Sequence, residues 1–205
     1  MLSAPSKRAE TITRKEIEVR KNILGALAVS AAIAISSIAG AAYAENPMVG
    51  GAPMLASKNI IENALNSKDH TTLVAAVKAA GLVDTLEGKG PFTVFAPTNE
   101  AFAALPAGTV DNLLKPENKA MLVKILTCHV VAAKAMAADV MSMVKADGGM
   151  HVVDTVGGCK LTLKTDGGKV TVTDENGNVA NVTIADVEQS NGVIHVIDKV
   201  LLPKS

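Results

Sequence analysis

One segment carries most of the structural information in this 205-residue chain: Gly90-Pro91-Phe92-Thr93-Val94-Phe95-Ala96-Pro97-Thr98-Asn99-Glu100-Ala101-Phe102. Its first half alternates as a β-strand from Phe92 to Phe95, and Pro97 then ends the strand. Thr98 follows at the position of a helix cap, with Glu100 near the positive end of that helix. The segment therefore predicts a strand that turns directly into a helix, with its phenylalanine side chains in a core.

A second informative segment, near the C-terminus, reads Asn191-Gly192-Val193-Ile194-His195-Val196-Ile197-Asp198-Lys199-Val200-Leu201-Leu202-Pro203. Its Asn-Gly pair tolerates the positive φ of a tight turn. In the strand that follows, Ile194 and Val196 should face opposite to Val193, His195 and Ile197. The segment predicts a turn that leads into a strand with two apolar faces.

The rest of the chain changes character along its length. Apolar residues recur at helical spacing after Ser57, between Thr71 or Thr72 and Gly81, and after Pro116. The second half instead has short β-rich runs with Gly- and Asn-containing turns between them: 128–131, 150–156, 160–165, 169–173, 179–184 and 193–197. Helices first and hairpins afterwards indicate an α+β domain with an antiparallel sheet.

The two quoted segments resemble, in the same order, the two signature blocks of fasciclin (FAS1) domains. The resemblance covers roughly residues 59–203 and points to the bacterial single-domain members. It implies the FAS1 fold, a wedge-shaped antiparallel β-sandwich flanked by several short α-helices. It also implies an extracellular protein concerned with cell adhesion or matrix contact.

Between the blocks, the segment Leu126-Thr127-Cys128-His129-Val130-Val131 resembles the family's central segment. Cys128 stands where the family often has a tyrosine, and His129 remains. The resemblance implies a possible recognition edge at His129, Val130 and Val131. The alternative is that His129, like His195, is a half-buried imidazole bonded to backbone or to a carboxylate.

The first 44 residues have the parts of a secretory signal. A basic stretch ends at Lys21, residues 22–41 carry no charge, and Ala42-Tyr43-Ala44 provides the small residues of a cleavage site. We predict cleavage between Ala44 and Glu45, a flexible lead over residues 45–56, and one domain over residues 57–205. The alternative is an uncleaved membrane anchor, because about 20 apolar residues suffice to cross a bilayer.

Cys128 and Cys159 are the only cysteines, and both follow the predicted cleavage site. An oxidising compartment would let them pair, which closes a loop of about 30 residues and contributes on the order of 3 to 4 kcal/mol. The alternative is two separate buried thiols. A zinc or redox-catalytic role would need closer spacing or further ligands.

The composition after the predicted cleavage site argues against nucleic acid as a partner. Residues 45–205 contain 14 lysines and no arginine against 17 acidic residues, a net charge of about −3. Without arginine the domain lacks the bidentate donors that grip phosphate and guanine, and few aromatic side chains are present for base stacking. We therefore expect no nucleic-acid partner.

Catalytic and metal-binding patterns receive little support. The four histidines, His70, His129, His151 and His195, are far apart, and none forms a two-histidine helical motif. The chain also has no Gly-x-Ser-x-Gly elbow. We expect no catalytic site, no cofactor and no metal.

These observations favour an exported, non-enzymatic binding module that is secreted or periplasmic. Its partner would be an unknown protein, polysaccharide or lipid at a cell surface or matrix. We expect the domain itself to be a monomer or a weak oligomer. Membrane contact is expected only through the signal segment, if that segment is not removed. One alternative is an apolar small-molecule or lipid binder in the periplasm, with a groove between helices and sheet. A hydrolase that uses His129 or His195 as a base is a third hypothesis.

Overall fold

The computed structural model describes residues 46–204. This range contains seven α-helices: α1 Ile60–Ala64, α2 Thr71–Ala80, α3 Val83–Glu87, α4 Asn99–Ala103, α5 Thr109–Leu113, α6 Lys119–Thr127 and α7 Ala137–Ala146. It contains nine β-strands: β1 Met48–Val49, β2 Ala52–Pro53, β3 Phe92–Pro97, β4 Val130–Val131, β5 Met150–Asp154, β6 Lys160–Asp166, β7 Lys169–Thr173, β8 Val179–Gln189 and β9 Gly192–Ile197. The predicted signal segment and its cleavage site between Ala44 and Glu45 lie outside the described residues.

Seven of the strands form one sheet, in the order β4-β3-β9-β8-β7-β6-β5. All neighbouring pairs are antiparallel except β3 and β9, which run parallel over their whole length. The α+β class is confirmed, but the sheet is mixed where an antiparallel one was predicted. The parallel pair arises because β3 and β9 are far apart in sequence and have helices and strands between them, so no hairpin constrains their direction.

The sheet folds over along the long strand β8. Two register shifts interrupt the β8–β9 pairing, and Asp186 lies within the second of them, with φ 58°. Bulges of this kind bend a strand and increase its twist. As a result the first part of β8 pairs with β7 and the second part pairs with β9, so that two halves of one sheet face each other.

The bent sheet and the helices enclose two apolar cores. We call the first the helical core, in which one face of β3 and β9 packs against the helices, with Val94, Ala96, Ile194 and Val196 as its strand residues. We call the second the sheet core, which lies between the two halves of the sheet and includes Phe95, Ile197, Leu161, Leu163, Val170 and Val172. Because β3 and β9 are buried on both faces, their sequences are almost continuously apolar.

The two ends of the sheet approach each other beside the disulfide. The Val156 N–H donates to the Val130 carbonyl at 2.8 Å, so the loop after β5 reaches β4. Cys128 and Cys159 are both buried and are joined in a disulfide, with their Cα atoms 5.3 Å apart, in agreement with the predicted pairing. The bond therefore ties the start of β4 to the β5–β6 connection.

Local signals placed the start of α4 and both ends of α2 correctly. Thr98 accepts a hydrogen bond from the Ala101 N–H and caps α4, and α2 ends at Gly81 in the left-handed conformation. Helix α1 begins two residues later than a cap at Ser57 would place it: Asn59 caps it, because Asn59 and Glu62 form a reciprocal capping box. Met121 on α6 is apolar but lies on the solvent side of that helix, 58% exposed.

Residues 46–56, for which the sequence predicted a flexible lead, are packed onto the domain. Strands β1 and β2 form a small hairpin whose Val49 lies in the helical core. Met54 is buried beside it, and its N–H donates to the Pro47 carbonyl at 2.9 Å. The segment is held in place because its apolar side chains are buried. It is too short to show helical or strand periodicity, so the sequence did not predict this packing. Within residues 46–204, no helix is long and apolar enough to cross a membrane.

Candidate functional site

The two signature segments lie side by side in the structure. Phe92 pairs with Gly192 and Pro97 with Ile197 along the parallel β3–β9 ladder. A Cβ atom at Gly192 would collide with the Phe92 carbonyl, so this glycine is required for the close approach of the two backbones. The segments thus form the one parallel pair of the seven-stranded sheet.

The polar side chains of these segments join helices to strands. Asn191 is buried at the start of β9, where its Oδ1 accepts from the Ile60 N–H at 3.1 Å. Its Nδ2 donates to the carbonyls of Leu86 at 2.7 Å and Gly88 at 2.9 Å. The side chain therefore connects α1 and the end of α3 to β9.

Asn99 and Asp198 have similar structural roles. The Asn99 Oδ1 accepts from the Thr72 N–H at 3.0 Å at the start of α2, and its Nδ2 donates to the Lys68 carbonyl at 2.8 Å. The two Asp198 carboxylate oxygens accept from the backbone and side-chain N–H groups of Asn181, each at 2.7 Å. These contacts make the signature residues scaffold rather than exposed binding groups.

His129 is a buried structural histidine. Its side chain is 2% exposed, its Nδ1 bonds the Ile125 carbonyl at 2.8 Å, and its Nε2 accepts from the Leu201 N–H at 2.9 Å. Accepting at Nε2 requires the neutral ring, with the proton on Nδ1. Burial lowers the pKa of His129 to about 4, against smaller opposing effects of the Ile125 carbonyl and the Asp174 charge.

His195 is also bonded to backbone groups, on the face of β9 that points away from the helical core. Its Nε2 bonds the Ala135 carbonyl at 2.9 Å, and its Nδ1 accepts from the Asp186 N–H at 3.3 Å. The ring stacks on Phe95 with 5.8 Å between centroids. Burial lowers the pKa of His195, and the Ala135 carbonyl and the Asp186 charge oppose that shift.

Neither ring is placed to act as a general base. Both nitrogens of His129 and of His195 are bonded to backbone groups, so no nitrogen is directed at a nucleophile. The third β-strand histidine, His151, bonds the Asp147 carboxylate at 2.6 Å near the surface. In the described range, no group of three or more His, Cys, Asp or Glu side chains is arranged to hold a metal ion.

The central segment proposed as a recognition edge is mostly inaccessible. His129 and Val130 are buried, and Val131 is half-buried. The segment packs as a short strand between β3 and the loop after β5, which leaves little side-chain surface for a partner. Its burial argues against partner contact through the His129 side chain.

Several exposed apolar side chains lie on what we call the outer face: the solvent side of β5, β6, β7 and the first part of β8. Ladder pairing aligns Val152, Thr162, Thr173 and Val179 in one row across the four strands. Val152 is 51% exposed and Val179 42% exposed, at the two ends of the row. Met150, also exposed, lies two residues before Val152 on the same face.

Sequence reasoning did not single out these residues. Met150 and Val152 belong to a run that was correctly predicted as a strand, but an apolar residue in a strand is normally assigned to a core. The direction of each side chain depends on register, since a shift of one residue exchanges the two faces. Alternation of Leu161 and Leu163 with Thr162 was the one local signal that separated the inner face from the outer face.

Comparison with known proteins agrees with this architecture. The Fasciclin domain family model matches residues 68–203. The chain is 53% identical to "Protein sll1483" of Synechocystis sp. over 78% of this chain and 81% of that protein. It is 38% identical to "Immunogenic protein MPB70" of Mycobacterium bovis over 68% of this chain and 66% of that protein.

A solved structure gives the same fold. The FAS1 domain pair from the insect cell adhesion molecule Fasciclin I matches with a TM-score of 0.63 at 20% identity, over 71% of this chain and 51% of that one. The family match includes the parallel β3–β9 pair and both quoted segments. With the FAS1 fold and a family match over most of its length, this chain belongs to the fasciclin domain family.

Proposed function

We propose that this protein is an exported, non-catalytic binding module that contacts a cell-surface or matrix component through its outer face. The observation that carries the proposal is the row of Val152, Thr162, Thr173 and Val179 with its two exposed valines. Its relation to a domain pair from a cell adhesion molecule adds support at the level of fold. The signal-like first 44 residues support export.

The shape of the outer face suits a weak, extended contact. Three interstrand spacings separate Val152 from Val179, a distance of about 14 Å, and Met150 extends the apolar area by about 7 Å along β5. Met150 and Val152 are neighbours on this face, and exposed large apolar side chains that lie near one another mark interaction surfaces more often than isolated ones do. Threonine hydroxyls between the valines supply hydrogen-bonding groups within the same area.

A protein partner fits this surface better than a polysaccharide or a lipid. Strand β5 is the last strand of the sheet, so its outer edge offers backbone groups to an extended segment. The adjacent valines would then contact alternate side chains of that segment. A sugar polymer would gain less here, because the three described phenylalanines are buried or half-buried and stack no ligand on this face.

One such face is too small for tight attachment. Stable complexes typically bury about 800 Å² on each partner, several times the area of a few exposed side chains. Adhesion by a monomer or weak oligomer would therefore depend on many copies held on one surface. We expect salt-tolerant but low-affinity binding to envelope or matrix fractions.

The decisive test compares substitutions on two surfaces of the protein beginning at Glu45. Val152→Lys and Val179→Lys should each weaken binding to host cells and envelope fractions about fivefold or more, as expected for a contact residue worth over 1 kcal/mol. Met121→Lys, on the exposed side of α6, is the matched control and should bind normally. Equal binding by all three variants and the parent would refute the outer face as the binding surface.

A further inference from the structure

Strand β5 lies at one end of the sheet, so only one of its two edges is paired. Just beyond its last residue, Asp154, the Thr155 N–H donates to the Cys159 carbonyl at 2.9 Å. Hydrogen-bonded and non-hydrogen-bonded pairs alternate along an antiparallel ladder. This bond therefore makes Asp154 and its opposite residue in β6, Lys160, a non-hydrogen-bonded pair. The backbone N–H and carbonyl of Asp154 thus point away from β6.

The same alternation assigns the rest of β5. His151 and Val153 direct their backbone groups at β6, whereas Met150 and Val152, like Asp154, direct theirs outward. In the described part of the chain, no other backbone group bonds the three outward N–H groups, and all three side chains are exposed. The strand has no proline, lysine or bulge, the features that usually prevent such an edge from pairing. Residues 150–154 thus form a free edge, which we call the β5 edge.

We propose that the β5 edge pairs with the β5 edge of a second copy of this chain, in a weak antiparallel dimer. A two-fold axis at Val152 would place this residue opposite its own counterpart, and Met150 of each copy opposite Asp154 of the other. These opposed pairs would exchange about six backbone hydrogen bonds. On the other side of the strand, His151 would lie opposite Val153, so no like charges would be directly opposed.

Charge complementarity favours a second copy as the occupant of this edge. Lys164 lies beside Met150 in the β5–β6 ladder, and it forms no ion pair within residues 46–204. In the dimer, two interstrand spacings of about 10 Å in total would separate it from Asp154 of the other copy, a gap that the two side chains can span together. Asp154, which bonds Lys160 at 2.7 Å, would then lie between lysines of both copies. The symmetry repeats this arrangement twice in each dimer.

The contact would be small, so the dimer would be weak. Pairing of residues 150–154 covers far less than the roughly 800 Å² per partner of a stable complex. The two-fold axis is perpendicular to the sheet, so the two outer faces would lie side by side on one surface. A dimer would therefore present two outer faces at once, which favours multivalent attachment.

Self-pairing does not rest on the proposed binding to a host surface. Pairing depends on the backbone of β5 and is measured with the purified protein alone, whereas host contact also depends on Val179, three strands from the edge. Val179→Lys should weaken host binding and leave pairing unchanged. Failure of one proposal is therefore distinguishable from failure of the other.

Hydrogen exchange at single amides tests the pairing, with the isotope-labelled protein beginning at Glu45 compared at micromolar and millimolar concentrations. Exchange at Met150, Val152 and Asp154 should slow together, about twofold when half of the chains are paired, because only the free chain exchanges. Exchange at His151 and Val153 should not change, because their N–H groups bond β6 at every concentration. Unchanged exchange at the three outward amides up to millimolar protein, with a monomer in sedimentation, would overturn the proposal.

Two variants test the geometry. Val152→Pro removes an outward N–H but no bond to β6, and proline is tolerated on an edge strand. It should weaken dimerisation about tenfold or more, since the symmetry removes two hydrogen bonds. Lys164→Glu should weaken dimerisation about two- to fivefold at low salt, because it places a like charge near Asp154 of the other copy. Dimerisation of both variants at the strength of the parent would show that the β5 edge is not the interface.

Discussion

Acidification from pH 7 to pH 5 should destabilise the domain through His129. In the folded state the ring is buried and neutral, and its pKa is lowered by that burial to about 4. In the unfolded chain the ring is in water, with an ordinary pKa of about 6.5. The unfolded state therefore binds more protons between these two values, and the free energy of unfolding must decrease as the pH falls through 6.5 toward 4.

The expected size follows from the two pKa values. Between pH 7 and pH 5, His129 alone should lower the free energy of unfolding by about 2 kcal/mol, and below pH 4 by about 3 kcal/mol in total. Burial also lowers the pKa of His70 and of His195, so both add to the loss with the same sign. Domains of this size have about 5 to 15 kcal/mol of stability, so the change is readily measurable.

Urea denaturation at several pH values measures this effect, and ring NMR measures the pKa directly. In His129→Gln the loss between pH 7 and pH 5 should shrink by about 2 kcal/mol. Val130→Ala, next to it in the helical core, is the matched control: it should lower stability equally at each pH. A folded-state pKa near 6.5 for His129, or an unchanged pH dependence in His129→Gln, would refute the reasoning.

Two further predictions concern the scaffold. Replacing Cys128 and Cys159 together by alanine should lower the free energy of unfolding by about 3.7 kcal/mol, because the bond closes a loop with a sequence separation of 31. Urea denaturation should give the same stability for this variant and for the reduced parent. Equal stability of the variant and the oxidised parent would contradict the prediction. Asn191→Ala should lower the free energy of unfolding by about 3 kcal/mol, because it leaves the Ile60 N–H and the carbonyls of Leu86 and Gly88 without their partner. A loss under about 1 kcal/mol in urea denaturation would show that water replaces the side chain.

Much of the local structure was predictable from the sequence because its signals are local. Thr98 caps α4 through a bond to a residue three positions away, and Gly81 ends α2 through its own backbone conformation. The alternation in β9 correctly separated Ile194 and Val196 from Ile197. Such signals depend on neighbours within one turn or one strand, so they can be interpreted without knowledge of the rest of the fold.

The candidate sites could not be predicted in the same way. The aliphatic run of β5 has an exposed face because helix α7 packs on the opposite face of β5, β6 and β7. His129 is buried and accepts a hydrogen bond from Leu201, 72 residues away, which local sequence does not reveal. Sequence alone thus determined the export-like first segment, the strand and helix segments and the family. Only tertiary structure decided which face of each strand is solvent-exposed and which histidines are buried, because both depend on contacts between residues distant in the chain.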